Sequence, residues 1–357
     1  MLSSFGTAAR FSGASRRLAQ CPLFHSAKRR AYATADSQTV RIVEVGPRDG
    51  LQNEKGIIPL DLKVQLIDRL GRAGMKVIEA GSFVSPKWVP QMADTPSVLQ
   101  RISHPPGVRY PVLVPNRRGL DDLLALLEQH PKASLVDEVA VFTGATDAFT
   151  RANTNVTVAE SLAKLEPVVL AAKERGMRVR GYVSVVVRCP YSGAVDPKGV
   201  RDVTKALIDM GCYEVSLGDT VGMATPPQVR EMLDEVTKSV DVDLLAFHDT
   251  YGTAVANVFA ALEAGVRVFD SSVGGLGGCP YSPGATGNVA TEDLVYALTT
   301  RSSGPSDIDL SELEAINLNE LVDIAAWISS ELGRPLTSRA GRAILARRAR
   351  MEVKAKL

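Results

Sequence analysis

The sequence predicts a TIM (β/α)8 barrel with a small C-terminal helical appendage. Three observations lead there. Short β-branched runs alternate with longer amphipathic stretches, about eight β/α units in roughly 250 residues. Several helical stretches end in glycine just before the next strand, at Gly74, Gly176, Gly211 and Gly265, the usual C-terminal helix stop. No G-x-G-x-x-G turn follows the first strand, which argues against the runner-up, a doubly wound open sheet.

The elements follow in order. The strand runs are Val40–Val45, Lys76–Glu79, Arg109–Val114, Asp137–Phe142, Arg178–Val187, Tyr213–Leu217, Val242–Phe247 and Val266–Ser271. Between them, Pro59–Ala73 carries Leu62, Leu66, Ile67 and Leu70 at helical spacing. Leu120–Gln129, Val158–Arg175, Val200–Met210, Pro227–Ser239 and Val255–Ala264 read the same way. Beyond Ala290 the pattern turns helical, over Thr291–Thr300, Leu310–Leu332 and Ser338–Arg350, interrupted by a Ser-Gly-Pro linker at Ser302–Ser306. The expected organisation is a leader over 1–35, the barrel over 36–301 and the helical extension over 302–357.

Bulk properties narrow the function. The 357 residues carry a net charge of +1 and 45% hydrophobic residues, which gives no reason to expect nucleic acid as a partner. No apolar run is long enough to span a bilayer. Four widely spaced cysteines argue against a disulfide framework or a zinc site. Ahead of Asp36 there is no acidic residue, whereas Arg10, Arg16, Arg17, Lys28, Arg29 and Arg30 are basic; this is the composition of a mitochondrial transit peptide. The terminal Ala355-Lys356-Leu357 resembles a peroxisomal address, a weaker second signal.

Barrel enzymes place their chemistry at the C-terminal ends of the strands. Arg48 and Asp49 follow the first strand, and Glu79 closes the second. Arg180 and Tyr182 lie on the fifth, Asp219 follows the sixth and His248 ends the seventh. Cys279 and Asn288 lie in the glycine-rich stretch after the eighth. Each alone has a structural reading: an ion pair for Glu79, a helix N-cap for Asp219. Together they predict one barrel mouth. Asp49, His248 and Asn288 form an O/N donor set suited to Mg²⁺ or Mn²⁺. The fixed charge and planar donor fork of Arg48 suit a developing enolate or carbonyl oxygen. Cys189 reads as a loop residue near the mouth and Cys212 as core. His25, His104 and His130 receive no role.

Two motifs, Val45-Gly46-Pro47-Arg48-Asp49-Gly50-Leu51-Gln52-Asn53-Glu54-Lys55 and Ser272-Val273-Gly274-Gly275-Leu276-Gly277-Gly278-Cys279-Pro280-Tyr281 closed by Gly287-Asn288, resemble the 3-hydroxy-3-methylglutaryl-CoA lyase family. Phe83–Met92 and Arg180–Ser184 extend the likeness, which runs from about Val40 to about Arg348. The resemblance implies a metal-dependent carbon–carbon lyase that cleaves 3-hydroxy-3-methylglutaryl-CoA to acetyl-CoA and acetoacetate, in leucine breakdown and ketone-body formation. By motif it implies catalytic roles for Arg48, Asp49, Glu79, His248 and Cys279. It implies substrate contacts for Arg48, Arg180, Tyr182 and Asp219, and metal ligation by Asp49, His248 and Asn288. A homodimer in the mitochondrial matrix is the expected assembly and location. One alternative is a Claisen-type acyl-CoA synthase on the same barrel; the resemblance to such enzymes covers only the R-D-G-x-Q start, and the cysteine loop argues against it.

One departure stands out. The family ends its seventh strand with H-x-H before D-T-Y-G, two histidines on one strand face. This chain reads Leu245-Ala246-Phe247-His248-Asp249-Thr250-Tyr251-Gly252, with one histidine. Aligned on L-A-F-H it is the first of the pair, with two residues lost after it; aligned on H-D-T-Y-G it is the second, with Ala246 in place of the first. The upstream segment from Gly218, which needs no other gap, favours the first alignment. Asp249 or water is then the substitute ligand. The missing histidine is also the only support for the alternative reading, a catalytically impaired barrel.

Overall fold

A computed structural model describes residues 38–131, 133–240, 249–278, 287–300 and 308–355, and the backbone of 244–247. The leader, His248 and Cys279 lie outside the described residues, as do Lys356 and Leu357.

Eight parallel strands close into a barrel. They are β1 (Arg41–Glu44), β2 in two segments (Val77–Ile78 and Gly81–Ser82), β3 (Val112–Leu113), β4 (Glu138–Gly144), β5 (Arg178–Ser184), β6 (Glu214–Asp219), β7 (Leu244–Phe247) and β8 (Val268–Ser271). Each pairs with its neighbour in chain order, and β1 pairs with β8 in the register Arg41↔Val268 to Glu44↔Ser271. The interrupted β2 still bridges its neighbours, because Glu79 N–H donates to Glu44 O at 2.9 Å and Ala80 N–H to Pro111 O at 2.9 Å. All eight strand runs read from the sequence are therefore present, within a few residues of the expected ends.

Helices α1 (Leu60–Arg72), α2 (Thr95–Arg101), α3 (Arg117–Gln129), α4 (Asp147–Thr154), α5 (Val158–Glu174), α6 (Pro197–Met210), α7 (Pro226–Val236) and α8 (Ala254–Glu263) cover the barrel. Their apolar stripes meet the outward strand residues; Leu66, Ile67 and Leu70 of α1 are buried completely. The glycine stops behave as expected. Gly74 and Gly211 take φ of 103° and 108°, a region closed to most side chains. Sequence periodicity missed α2, a seven-residue helix opened by proline, and α4, capped by Thr146 and ended by Asn155 at φ 58°.

The C-terminal segment holds α9 (Thr291–Thr299), α10 (Ser311–Glu314), α11 (Leu318–Glu331) and α12 (Arg339–Ala355). The single helix expected over Leu310–Leu332 is corrected to two. Asn317 interrupts it: its side chain accepts from the N–H groups of Asn319 and Glu320 at 3.1 and 3.2 Å, starting α11 anew. These helices belong to the same compact unit as the barrel. No helix among the described residues is long and apolar enough to cross a membrane.

Candidate active site

The mouth of the barrel begins with a tight π-helical turn, Gly46–Gly50, straight after β1. The N–H groups of Arg48, Asp49 and Gly50 converge on the carbonyl of Val45 at 3.2, 2.7 and 3.1 Å. Their convergence turns Arg48 and Asp49 over the strand ends. Arg48 Nε donates to Glu79 Oε2 at 2.7 Å, and its Nη1 to Asp49 Oδ1 at 2.7 Å. Burial works against the Arg48 charge, but Glu79 and Asp49 outweigh it and raise the guanidinium pKa. Burial raises Glu79 as well, against the opposing pull of Arg48. Glu79 Oε1 is buried with no hydrogen-bond partner among the described residues.

Asp49 joins the first loop to the last. Asn288 Nδ2 donates to Asp49 Oδ2 at 2.7 Å, and Gln52 Nε2 to Asp49 Oδ1 at 2.6 Å. Two of the three expected ligand residues, 239 positions apart in sequence, are thus in contact. The carboxylate of Asp49 and the amide oxygen of Asn288 are the kind of donor a hard divalent cation prefers, and no group of three or more His, Cys, Asp or Glu able to hold a metal is present among the described residues. Asp249, the expected substitute ligand, has partners of its own in this structure. Its carboxylate is ion-paired with Arg339 and accepts the N–H of Ala254 at 3.1 Å.

Below the mouth a charged network fills the barrel. Alternation along β5 turns Arg180 and Tyr182 to the same face. Arg180 Nη1 donates to Tyr182 OH at 3.1 Å, and Tyr182 OH to Glu79 Oε2 at 3.4 Å. The Arg48 guanidinium lies 5.5 Å from the Tyr182 ring centroid. Arg180 is itself 1% exposed and ion-paired with Asp270 and, at 3.3 Å, with Glu214. Ser216 Oγ donates to Asp270 Oδ2 at 2.9 Å. Asp219 is held in its own loop, where it accepts the N–H groups of Met223 and Ala224 at 3.3 and 2.9 Å. Burial pushes its carboxyl up to about 6. It closes the loop ahead of α7 rather than capping the helix, since Thr225 takes the cap position. Cys189 is buried beside Thr146, whose hydroxyl donates to its Sγ at 3.2 Å, and Cys212 lies in the core as expected.

The loop that carries Cys279 is described at both ends. Gly277 and Gly287 approach so closely that a Cβ on Gly287 would lie 2.6 Å from the Gly277 carbonyl carbon. The Asp249 N–H donates to Gly287 O at 2.9 Å. On the incoming side, Gly274 and Gly275 take φ of 66° and 64°. Residues just before α12 hold the incoming side of the loop and α9: Thr337 Oγ1 donates to Gly274 O at 2.7 Å, and Ser338 Oγ to Asp293 Oδ1 at 2.8 Å.

Sequence reasoning missed the buried acids Glu44, Glu214, Asp270 and Glu292. Their signal is a carboxylate at or beside an otherwise apolar buried run, where an acid is stable only if partnered. Glu44, wholly buried, is pushed up to about 7 by burial.

A parallel eight-stranded barrel with arginine, carboxylates and an amide gathered at the C-terminal mouth defines a TIM-barrel enzyme built for carbonyl or carboxylate chemistry. The particular family follows from comparison: the HMGL-like family model matches residues 39–324, and the chain belongs to that family. It is 49% identical over 320 residues to the mitochondrial hydroxymethylglutaryl-CoA lyase of Bos taurus, covering 88% of this chain and 93% of that relative. The crystal structure of hydroxymethylglutaryl-CoA lyase from Pseudomonas aeruginosa superposes with a TM-score of 0.79 at 47% identity, covering 87% of this chain and 98% of that one. An HMG-CoA lyase from Acinetobacter baumannii, in complex with coenzyme A and 3-methylmalate, gives a TM-score of 0.76 at 33% identity, covering 87% of this chain and 97% of that one.

Proposed function

We propose that this protein is a carbon–carbon lyase that cleaves 3-hydroxy-3-methylglutaryl-CoA to acetyl-CoA and acetoacetate by a retro-Claisen reaction. The observation that carries the reading is the Arg48–Glu79–Asp49–Asn288 cluster at the barrel mouth, in a chain about half identical to a named lyase of that substrate. The relatives do not favour the synthase or impaired-barrel alternatives.

Arg48 stabilises the negative charge that develops on the thioester oxygen as the C–C bond breaks. Aimed donors of this kind are worth most in a buried site. Glu79 orients Arg48 and keeps it charged. His248 or Asp49 removes the proton of the tertiary hydroxyl, and Cys279 returns a proton to the acetyl-CoA enolate. Tyr182 lines the substrate side of the network. Arg180, buried beneath it, supports the position of Tyr182, and Asp219 shapes the adjoining loop. Asp49, His248 and Asn288 would hold a divalent cation, Mg²⁺ or Mn²⁺, which would supply positive charge for carboxylate and hydroxyl oxygens.

The basic leader over 1–35 directs the chain to the mitochondrial matrix, in keeping with the bovine relative's name; the relatives lend the C-terminal tripeptide no support. The barrel over 36–301 and the extension over 302–357 make up one subunit of a homodimer, for which light scattering should give twice the subunit mass. The decisive assay uses residues 36–357 with the CoA thioester and Mg²⁺ or Mn²⁺. Equal amounts of acetyl-CoA and acetoacetate are expected, and none with a chelator. Folded protein that yields neither product at any metal concentration overturns the reading.

A further inference from the structure

Glu44 has no place in the chemistry above, yet it touches three parts of the site. It ends β1 and is fully buried. Its Oε1 accepts the N–H of Gly46 at 2.8 Å, where the turn of Arg48 and Asp49 begins. The same oxygen accepts the N–H of Val273 at 3.0 Å, where the Cys279 loop leaves β8. Its Oε2 accepts the hydroxyl of Thr291 at 2.6 Å, in the first turn of α9 just after Asn288. Glu292 repeats the theme next door, with both carboxylate oxygens accepting the N–H of Gly274 at 2.9 and 3.1 Å.

Packing ties the same segments. A Cβ on Gly46 would lie 2.5 Å from Glu44 Oε1. A Cβ on Gly50 would lie 2.8 Å from Leu276 Cβ and 2.9 Å from Ser272 Oγ. The turn and the loop root therefore have no room to slide against each other, and one carboxylate oxygen sets their spacing.

We propose that Glu44 is a positioning residue that locks the Arg48–Asp49 turn and the root of the Cys279 loop into a single register, so that the two halves of the site are placed together. The proposal rests on the roles assigned above to Arg48, Asp49 and Cys279. A misplacement of about 1 Å is enough to cost on the order of 10²-fold in rate.

The test compares Glu44→Gln, which keeps the length and an acceptor oxygen, with Glu44→Asp, which keeps the charge but falls one methylene short. Peptide-resolved amide exchange over 46–50 and 273–278 is measured together with kcat, KM and thermal stability. For Glu44→Asp we expect faster exchange in both segments, extending to Arg48–Gly50 and Leu276–Gly278. We also expect kcat lowered about 10²-fold with KM nearly unchanged. Glu44→Gln should stay close to wild type in exchange, kcat and KM. If Glu44→Asp does not fold, Gly46→Ala pushes on the same oxygen and should give the same paired change. Exchange altered in only one segment, or in neither, overturns the coupling. So does an equal loss of activity in the Gln and Asp variants. A wild-type chain without lyase activity refutes the proposed function instead, and leaves the exchange result to judge Glu44.

Discussion

Replacing Arg48 with Gln separates catalysis from stability, because the same guanidinium serves both. In the wild type, Arg48 makes hydrogen bonds of 2.7 Å to Glu79 and to Asp49. The Glu79 side chain is 1% exposed and its other oxygen has no partner among the described residues. Removing one member of such a buried pair costs about 3–5 kcal/mol. Glu79 softens that loss by taking up a proton, since burial already raises its pKa and the lowering influence of Arg48 is gone. The sign follows from linkage. A carboxyl with a raised folded-state pKa favours folding below its unfolded pKa, and that benefit is lost as pH rises through the folded value. The stability gap between wild type and Arg48→Gln should therefore widen from pH 5 to pH 8. Urea unfolding at both pH values measures it. The double variant Arg48→Gln/Glu79→Gln, which leaves neither member of this pair charged, should recover most of the stability. Its kcat should stay about 10²–10³-fold low, the usual cost of one lost oxyanion donor. A kcat within tenfold of wild type removes Arg48 from charge stabilisation, and a stability gap independent of pH refutes the Glu79 argument.

Other outcomes follow from the same geometry. Glu44, pushed from 4.5 to about 7 by burial, should make the wild type lose up to about 3 kcal/mol relative to Glu44→Gln between pH 5 and 8; parallel pH profiles of unfolding would contradict this. Gly50→Ala places a methyl against Leu276 and Ser272 and should cost about 1–3 kcal/mol, read as a lowered urea midpoint with lowered kcat. Alkylation should inactivate the enzyme with substrate protection, and peptide mapping should find the label on Cys279 and not on buried Cys189 or Cys212. With one histidine, the site should need high Mg²⁺ or Mn²⁺. Inserting an apolar residue and a histidine between His248 and Asp249 should tighten metal binding by calorimetry and raise kcat; equal affinity and turnover in both versions would show that the second histidine is dispensable.

Periodicity carried the barrel. Eight β-branched runs and the glycine stops are local signals, because strand alternation and the left-handed helix stop act within a few residues. Where local signals were short or ambiguous, the reading failed: α2 and α4 are too brief for a clear apolar stripe, and Asn317 divides a stretch whose hydrophobic pattern continues through it. The sequence also placed Arg48, Asp49, Glu79 and Asn288 at strand ends, since barrel order assigns each loop to the same face.

Contacts between distant segments were decided only by the tertiary structure. That Asn288 meets Asp49, and that Glu79 meets Arg48, depends on how strands β1, β2 and β8 close on one another. That Arg180 lies beneath Tyr182, bound to Asp270 and Glu214, depends on strand register inside the barrel. That Asp249 turns to Arg339 depends on where α12 starts. Glu44 is the clearest case. In the sequence it is one acid at the end of a strand. In the fold, burial leaves it no water, so its two oxygens must find protein donors, and those they find belong to the segments that carry the site.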